Sequence, residues 1–507
     1  MARLNLNIFA NFSGQAWGMA LSLIFTPLYI HALGVESYGL IGVYLVLLGL
    51  VQVFDFGLGP TINRELSRRF HAPGDRRHLK TLVRTAEIIY LLLAIFLAVL
   101  IMCAADALAG SWINVSELNR ANVKHIVVLM SVLLGLQWPM GLYQNVLMGM
   151  QEQPTANILN GTYATVANVL AAVLIVSTRS GVEVYFICVA IVSVFQLLHL
   201  RRICWKKLGT RDDSALFRFD VLRNTAGFTA GMAGISVVSV LLTQLDKILL
   251  SKLLSLSDFG LYLLAGTLSR ALYVLITPVY SAVFPRLSSA IAQNDFATAI
   301  RIYHSAAQLM AVLVLSAAFS LAIFSHDVFL LWLRSHSVAQ NVAPVAAILA
   351  FGTAMNGLMN VPYAMQLAKG YTRVPFFTAV IVAILFVPCM VWAAGNYGPI
   401  GAAWTWFALN LLYLIVGVAF THLLIVPGQF RLWLLRDTGL PLLAIVGMSA
   451  AVAWMHSFFF PGTVGKILFI LSGSAAILLA AVLSAQDIRG LVRSRVQQLM
   501  QRTNGSA

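Results

Sequence analysis

Leu33-Gly-Val-Glu-Ser-Tyr38-Gly39-Leu40 recurs 221 residues later as Leu254-Ser-Leu-Ser-Asp-Phe259-Gly260-Leu261. The same shift carries Leu66-Ser67 onto Leu287-Ser288, Gly149 onto Gly370 and Pro154 onto Pro375. Four anchors at one offset, spread from residue 33 to residue 154, are hard to obtain by chance, so the chain reads as two copies of one unit. The residues around them say what each copy is made of. Hydrophobic types make up 60% of the 507 residues and charged types 10%, against about 25% charged in a soluble chain. Such a chain cannot face water on all sides and is an integral membrane protein, which excludes soluble enzymes, nucleic-acid binders and disulfide-stapled secreted domains.

A spanning helix needs about 20 largely apolar residues, and fourteen stretches meet that criterion, from 11–31 to 464–485. Among them are a fourth at 123–147, a fifth and sixth at 157–178 and 182–201 divided near Gly181, a seventh at 224–250, an eighth at 258–284 and a thirteenth at 440–457. The expected fold is an all-α polytopic membrane protein with about 14 transmembrane helices. Six spans form an N-terminal lobe (1–202), a hydrophilic linker follows (203–223), six more form a C-terminal lobe (224–425), and two additional helices with a tail complete the chain (426–507). Six is even, so the copies share one orientation and are expected to relate by an axis along the membrane normal, with a site between them. The residues before the first span read as a short tail before a retained helix rather than a signal peptide.

Charge sets the orientation. Of 33 Lys and Arg residues, 25 fall on alternate segments that share a side with the N-terminus, six fall on the opposite loops, and Lys247 and Arg270 lie inside spans. By the positive-inside rule both termini are cytoplasmic. The basic residues are scattered over separate loops instead of forming one patch, which argues against a nucleic-acid partner. Cys103, Cys188, Cys204 and Cys389 share no close spacing, so neither a metal site nor a disulfide framework is expected.

The opening Asn11-Phe-Ser-Gly, Pro27-Leu-Tyr-Ile30-His-Ala-Leu-Gly34-Val-Glu-Ser-Tyr38-Gly39-Leu, then Asp55-Phe-Gly57-Leu-Gly59 and Arg64-Glu-Leu-Ser-Arg68 together resemble the polysaccharide transporter family. It includes the Wzx-type O-antigen flippases and belongs to the multidrug/oligosaccharidyl-lipid/polysaccharide flippase superfamily. The resemblance, with its twofold six-span repeat plus two helices, covers about 480 residues. It implies a carrier of the bacterial inner membrane that moves an undecaprenyl-pyrophosphate-linked oligosaccharide to the outer leaflet. Membrane lipid is a partner, and a polysaccharide polymerase and glycosyltransferases are candidate partners. The residues support a transporter on their own. No loop is large enough for an extramembrane catalytic region, so no enzyme, catalytic residue, metal or cofactor is expected beyond coupling to H+ or Na+. Pro27, Pro139, Pro278, Pro344, Pro362 and Pro388 lie inside spans and permit the bending that alternating access uses.

An ionisable side chain at span depth costs roughly 3 kcal/mol on insertion scales, so it faces a wet interior or a counter-charge. The substrate-binding candidates are Arg270, about 12 residues into the eighth span, Lys247 toward the outer side, and Arg64 and Arg84 at the inner mouth. Cations along the membrane normal would carry a pyrophosphate. The ion-coupling candidates are Glu87, Asp55 and Asp246. Each has a plainer reading. Arg270 could pair with Asp246, Lys247 could snorkel to the interface, and Asp55 could bond backbone amides loosened by its neighbouring glycines. Asn145, Asn160, Asn168, Gln308, Asn356, Asn360 and Asn410, with Trp138, Trp404, Trp406, Tyr143 and Tyr363, have the chemistry of a sugar site, and also that of interhelical glue. The rival functions are a cation-coupled multidrug exporter and a non-transporting assembly protein for polysaccharide synthesis.

Overall fold

The computed structural model describes residues 2–70, 76–209, 217–218, 220, 229, 233, 244–371, 373–458 and 462–490. Among them helix dominates, and β-structure is limited to one bridge between Asn114 and Ser255. Helices satisfy their own backbone hydrogen bonds, which a bilayer requires of any element that crosses it. In chain order the main ones are α1 (Ala2–Val51), α2 (Leu58–Arg69), α3 (Arg76–Cys103), α4 (Arg120–Gln137), α5 (Met140–Gly149), α6 (Gln153–Thr178), α7 (Glu183–Leu208), α8 (Leu256–Arg270), α9 (Tyr273–Ala292), α10 (Phe296–Leu333), α11 (His336–Ala368), α12 (Arg373–Phe420), α13 (Leu440–Phe458) and α14 (Thr463–Ser484).

Eleven candidate membrane spans are found among the described residues. Two of them, Ser13–Asp55 and Val380–Ile425, have 43 and 46 residues. At 1.5 Å per residue each runs roughly 65–70 Å, about twice the hydrocarbon thickness. Each bends at a glycine off the helical conformation, Gly34 at φ 83° and Gly398 at φ 59°, so each has the length for two passes. The seventh expected span, 224–250, lies mostly outside the described residues. Other boundaries move for local reasons. The fourth span breaks at Trp138–Pro139, where proline lacks an N–H for the helix ladder. The eighth breaks at 271–272, between α8 and α9. A wide-turn segment, Leu432–Gly439, leads into the thirteenth. The division near Gly181 falls between α6 and α7, where Arg179 takes a left-handed conformation.

The chain forms two compact units, Met1–Gly260 and Leu261–Ala507. In the first, α1 packs on α6, α2 on α5, and α4 on α3 and α7. Gly14 acts as a packing surface, since a Cβ there would lie 2.4 Å from Asn157 Oδ1, while Gly18 faces open space. Gly227 and Gly231, which repeat the four-residue spacing of Gly14 and Gly18 common at helix-packing surfaces, lie outside the described residues.

The repeated octapeptide explains itself in this unit. A Cβ on Gly39 would sit 2.3 Å from the Leu256 carbonyl oxygen, and one on Gly260 would sit 2.7 Å from the Val35 carbonyl oxygen. Val35 and Leu256 are themselves separated by 221 residues, so the contact is reciprocal, as a twofold relation between the repeated motifs requires. Beside it, the buried Glu36 carboxylate accepts the amides of Ser116 and Glu117 at 2.6 and 2.9 Å. In the second copy Ser255 and Asp258 close a capping box at the start of α8.

In the second unit α10, α11 and α12 pack in sequence around buried Tyr303, Met310, Val314, Ala350 and Met365. The additional helices α13 and α14 lie on each other and on α10. Their apolar interiors are fastened at both ends by charge. At one end Asp437 accepts from His304, from Gln308 at 3.4 Å and from Arg436 at 3.0 Å. At the other, Asp327 accepts from His456 at 2.6 Å and Lys466 at 3.2 Å.

Candidate functional site

The Asp55-Phe-Gly57-Leu-Gly59 motif breaks the helix that precedes it. Residues Gln52–Asp55 tighten into a 3-10 turn, and Phe56 (φ 46°) and Gly57 (φ 73°) are left-handed before α2 begins. The break leaves the Gly59 amide without a helical carbonyl, and the Asp55 carboxylate accepts it at 3.1 Å. Tyr90 of α3 donates its hydroxyl to the same carboxylate and stacks on Trp138 with ring centroids 4.7 Å apart. A Cβ at Gly59 would meet Asn145 Nδ2 at 2.5 Å, so any larger residue there has to displace that side chain.

These groups form one end of a cavity of about 690 Å³ inside the first unit, within the size range of small-ligand sites. Its walls carry Gln52, Gln137, Gln144, Asn145, Asn160, Asn168 and Gln196 together with Trp138, Tyr163 and Tyr185, and Asp55 is the one charged residue among them. Asn160 Oδ1 accepts from Gln144 at 3.2 Å and Gln196 at 3.0 Å. That leaves the Asn160 amide nitrogen and the carbonyl oxygens of both glutamines without partners among the described residues. Gln137 accepts from Tyr44 and donates to Ser193 at 3.2 Å, and Asn168 accepts from Tyr29 at 3.0 Å. The amides therefore join helices to one another and still present donors and acceptors to the cavity.

One helical turn from Tyr90 along α3 lies Glu87, whose side chain is 1% exposed. It accepts from Arg84 and Arg201 at 2.5 Å each, from Tyr143 at 2.7 Å and from the Trp205 indole at 3.4 Å. Two guanidiniums already pair with it, whereas Asp55 lines the cavity.

The other candidates lie apart from this cavity. Arg64 is exposed on α2. Lys247, in the helical stretch 244–253, reaches Gln244 Oε1 at 3.0 Å and Asp246 at 3.6 Å. Ser251, further along that face, accepts from the Trp112 indole at 3.1 Å. Arg270 is the last residue of α8, exposed, with its Nε donating to the Gly266 carbonyl at 3.1 Å. In the second unit Asn356 links Tyr273 and Asn410. Trp404 faces a separate cavity of about 620 Å³, walled by aliphatic and aromatic side chains including Phe319, Phe351, Leu414, Ile415 and Trp433, where Thr438 is the single hydroxyl.

Sequence reading misses Tyr90, Gln137, Gln144, Tyr163, Tyr185 and Gln196 as members of one wall. Gln137 beside Trp138-Pro139, and Gln144 and Gln196 inside apolar spans, carry the same signal as the asparagines that it does single out. Arg201 counts in the sequence only toward orientation, because nothing there brings it to Glu87 across 114 residues.

Comparison with known proteins agrees with this architecture. The family described as "Polysaccharide biosynthesis protein" matches residues 4–291, more than half of the chain. A "Putative O-antigen transporter" of Shigella flexneri is 20% identical over 379 residues, covering 74% of this chain and 87% of that protein. The fold is similar to that of the lipid II flippase MurJ in an inward closed conformation, with a TM-score of 0.72 at 15% identity over 96% of this chain and 99% of the other. It is also similar to an inward-facing multidrug resistance MATE transporter, with a TM-score of 0.62 at 16% identity over 82% and 95%. A multi-pass helical chain with these matches belongs to the polysaccharide biosynthesis protein family, and it shares the fold of transporters of the multidrug/oligosaccharidyl-lipid/polysaccharide flippase superfamily.

Proposed function

We propose that the chain is a flippase for a polyprenyl-pyrophosphate-linked oligosaccharide, working by alternating access in the bacterial inner membrane with both termini cytoplasmic. The observation that carries this reading is the chemistry of the cavity in the first unit. Carboxamides offer paired donors and acceptors to hydroxyls, and aromatic faces cover the apolar faces of a sugar ring. A cavity for an apolar drug would not need seven carboxamides in its wall. The cavity of the second unit, by contrast, offers a polar group almost nothing to bond. Asp55 is where we place the coupling ion, H+ or Na+, as the one charged residue among the described residues that line the sugar-type cavity.

The test is surface display of finished polysaccharide in a flippase-null strain complemented by this chain, with membrane abundance measured in parallel. Wild type should restore display, and the double variant Gln144→Leu/Asn160→Leu should lower it at least about tenfold, the loss expected when about 1.4 kcal/mol of binding is removed. Drug resistance without display from wild type would favour the exporter. Full display from the well-expressed double variant would remove the cavity from the substrate path.

A further inference from the structure

Arg84 and Arg201 come from different helices to one buried carboxylate. A single guanidinium would neutralise Glu87, so the second leaves the cluster with a net positive charge. The arginine side chains remain 23% and 36% exposed, whereas Glu87 is 1% exposed. Arg84 binds through Nη1 and Arg201 through Nε, and a guanidinium carries five N–H donors in a fixed fork. Most donors of the pair are therefore left for another acceptor, on side chains that Glu87 holds in place.

The depth of the pair narrows what that acceptor is. Beyond Arg84, α3 has no charged side chain other than Glu87 up to Cys103, and α7 has none between Glu183 and Arg201. The arginines stand where the apolar stretches of their helices begin, which for a spanning helix is the depth of lipid headgroups. Further along α7, Lys207 pairs with Glu152 at 2.9 Å. Tyr143 bonds Glu87 while the next residues, Gln144 and Asn145, line the polar cavity. Asp55 would repel a phosphate from that cavity, so an anion joined to a sugar has its place at the arginines.

We propose that Arg84 and Arg201, presented by Glu87, form a docking site for the phosphate of a lipid-linked ligand at headgroup depth. The assignment to a polyprenyl pyrophosphate rests on the function proposed above, and a glycerophospholipid headgroup offers the same chemistry. Planar guanidiniums suit either, because two N–H groups of one fork match two phosphate oxygens.

The experiment is native mass spectrometry of the purified full chain in detergent, titrated with undecaprenyl pyrophosphate and separately with phosphatidylglycerol. Removing the arginines alone would strand Glu87, so the main variant is Arg84→Gln/Glu87→Gln/Arg201→Gln, with Arg301→Gln, an exposed arginine of the second unit, as control. The triple variant should bind undecaprenyl pyrophosphate at least about tenfold more weakly, and the control should match wild type. Glu87→Gln keeps one oxygen acceptor for an arginine and removes the carboxylate charge that competes with a phosphate, so it alone should bind at least as tightly as wild type, a result that a merely structural ion network would not give. Loss confined to the pyrophosphate assigns the site to the substrate, and equal loss for both lipids supports the phosphate site with membrane lipid as its source. Unchanged affinity for both lipids in a triple variant that keeps its thermal midpoint overturns the proposal. Binding is read without transport, so failure of wild type to restore polysaccharide display leaves this result standing, and the converse holds.

Discussion

Asp55 is held by a backbone amide and a tyrosine, and both bonds are to an oxygen acceptor. Asp55→Asn keeps one such oxygen and loses the charge. Its thermal midpoint in detergent should stay within a few degrees of wild type, while polysaccharide display falls sharply if the residue carries the coupling ion. A normal display level would place coupling elsewhere. Gly59→Ala acts through volume instead. Its Cβ would push into Asn145, and overpacking of this kind costs about 1–3 kcal/mol, which thermal unfolding followed by tryptophan fluorescence should register. The motif itself was legible, since Asp followed by two spaced glycines announces a loosened helix. The meeting with Tyr90 and Asn145 was not, because those contacts span 35 and 86 residues and no local pattern encodes them.

At the scale of elements, the repeat is both a sequence pattern and a contact. Gly39 and Gly260 each admit a backbone carbonyl where any side chain would collide. Gly39→Ala and Gly260→Ala should each lower stability by about 1–3 kcal/mol. Because either substitution forces the same two helix starts apart, the double variant should lose less than the sum, as read by thermal unfolding of all three proteins. Strict additivity would mean that the two glycines do not share one contact. The pairing of the copies could be anticipated from the offset of 221 residues, but not that the repeated motifs touch. The same offset also conceals differences in use. Gly149 packs so closely on Asn63 and Leu66 that a Cβ has no room, whereas Gly370 has open space and a φ of 82°. One glycine answers to tertiary packing and the other to the backbone.

For the whole molecule, the sorting of basic residues predicts orientation. Reporter fusions after Arg211 and Gln498 should give cytoplasmic signals, and a fusion after Ser116 an external one. An external signal at Arg211 would overturn both the orientation and the parallel relation of the copies. Membrane residence, helical class and family were settled by the sequence, because composition, span length and short motifs are properties of neighbouring residues. Tertiary structure decided which polar residues act together. Six carboxamides scattered from Gln137 to Gln196 became one wall, and Arg201 moved from an orientation signal to the partner of a buried carboxylate. The physical reason is that a polar group in an apolar span must find a partner, and the sequence states the need while only the packing of helices supplies the partner.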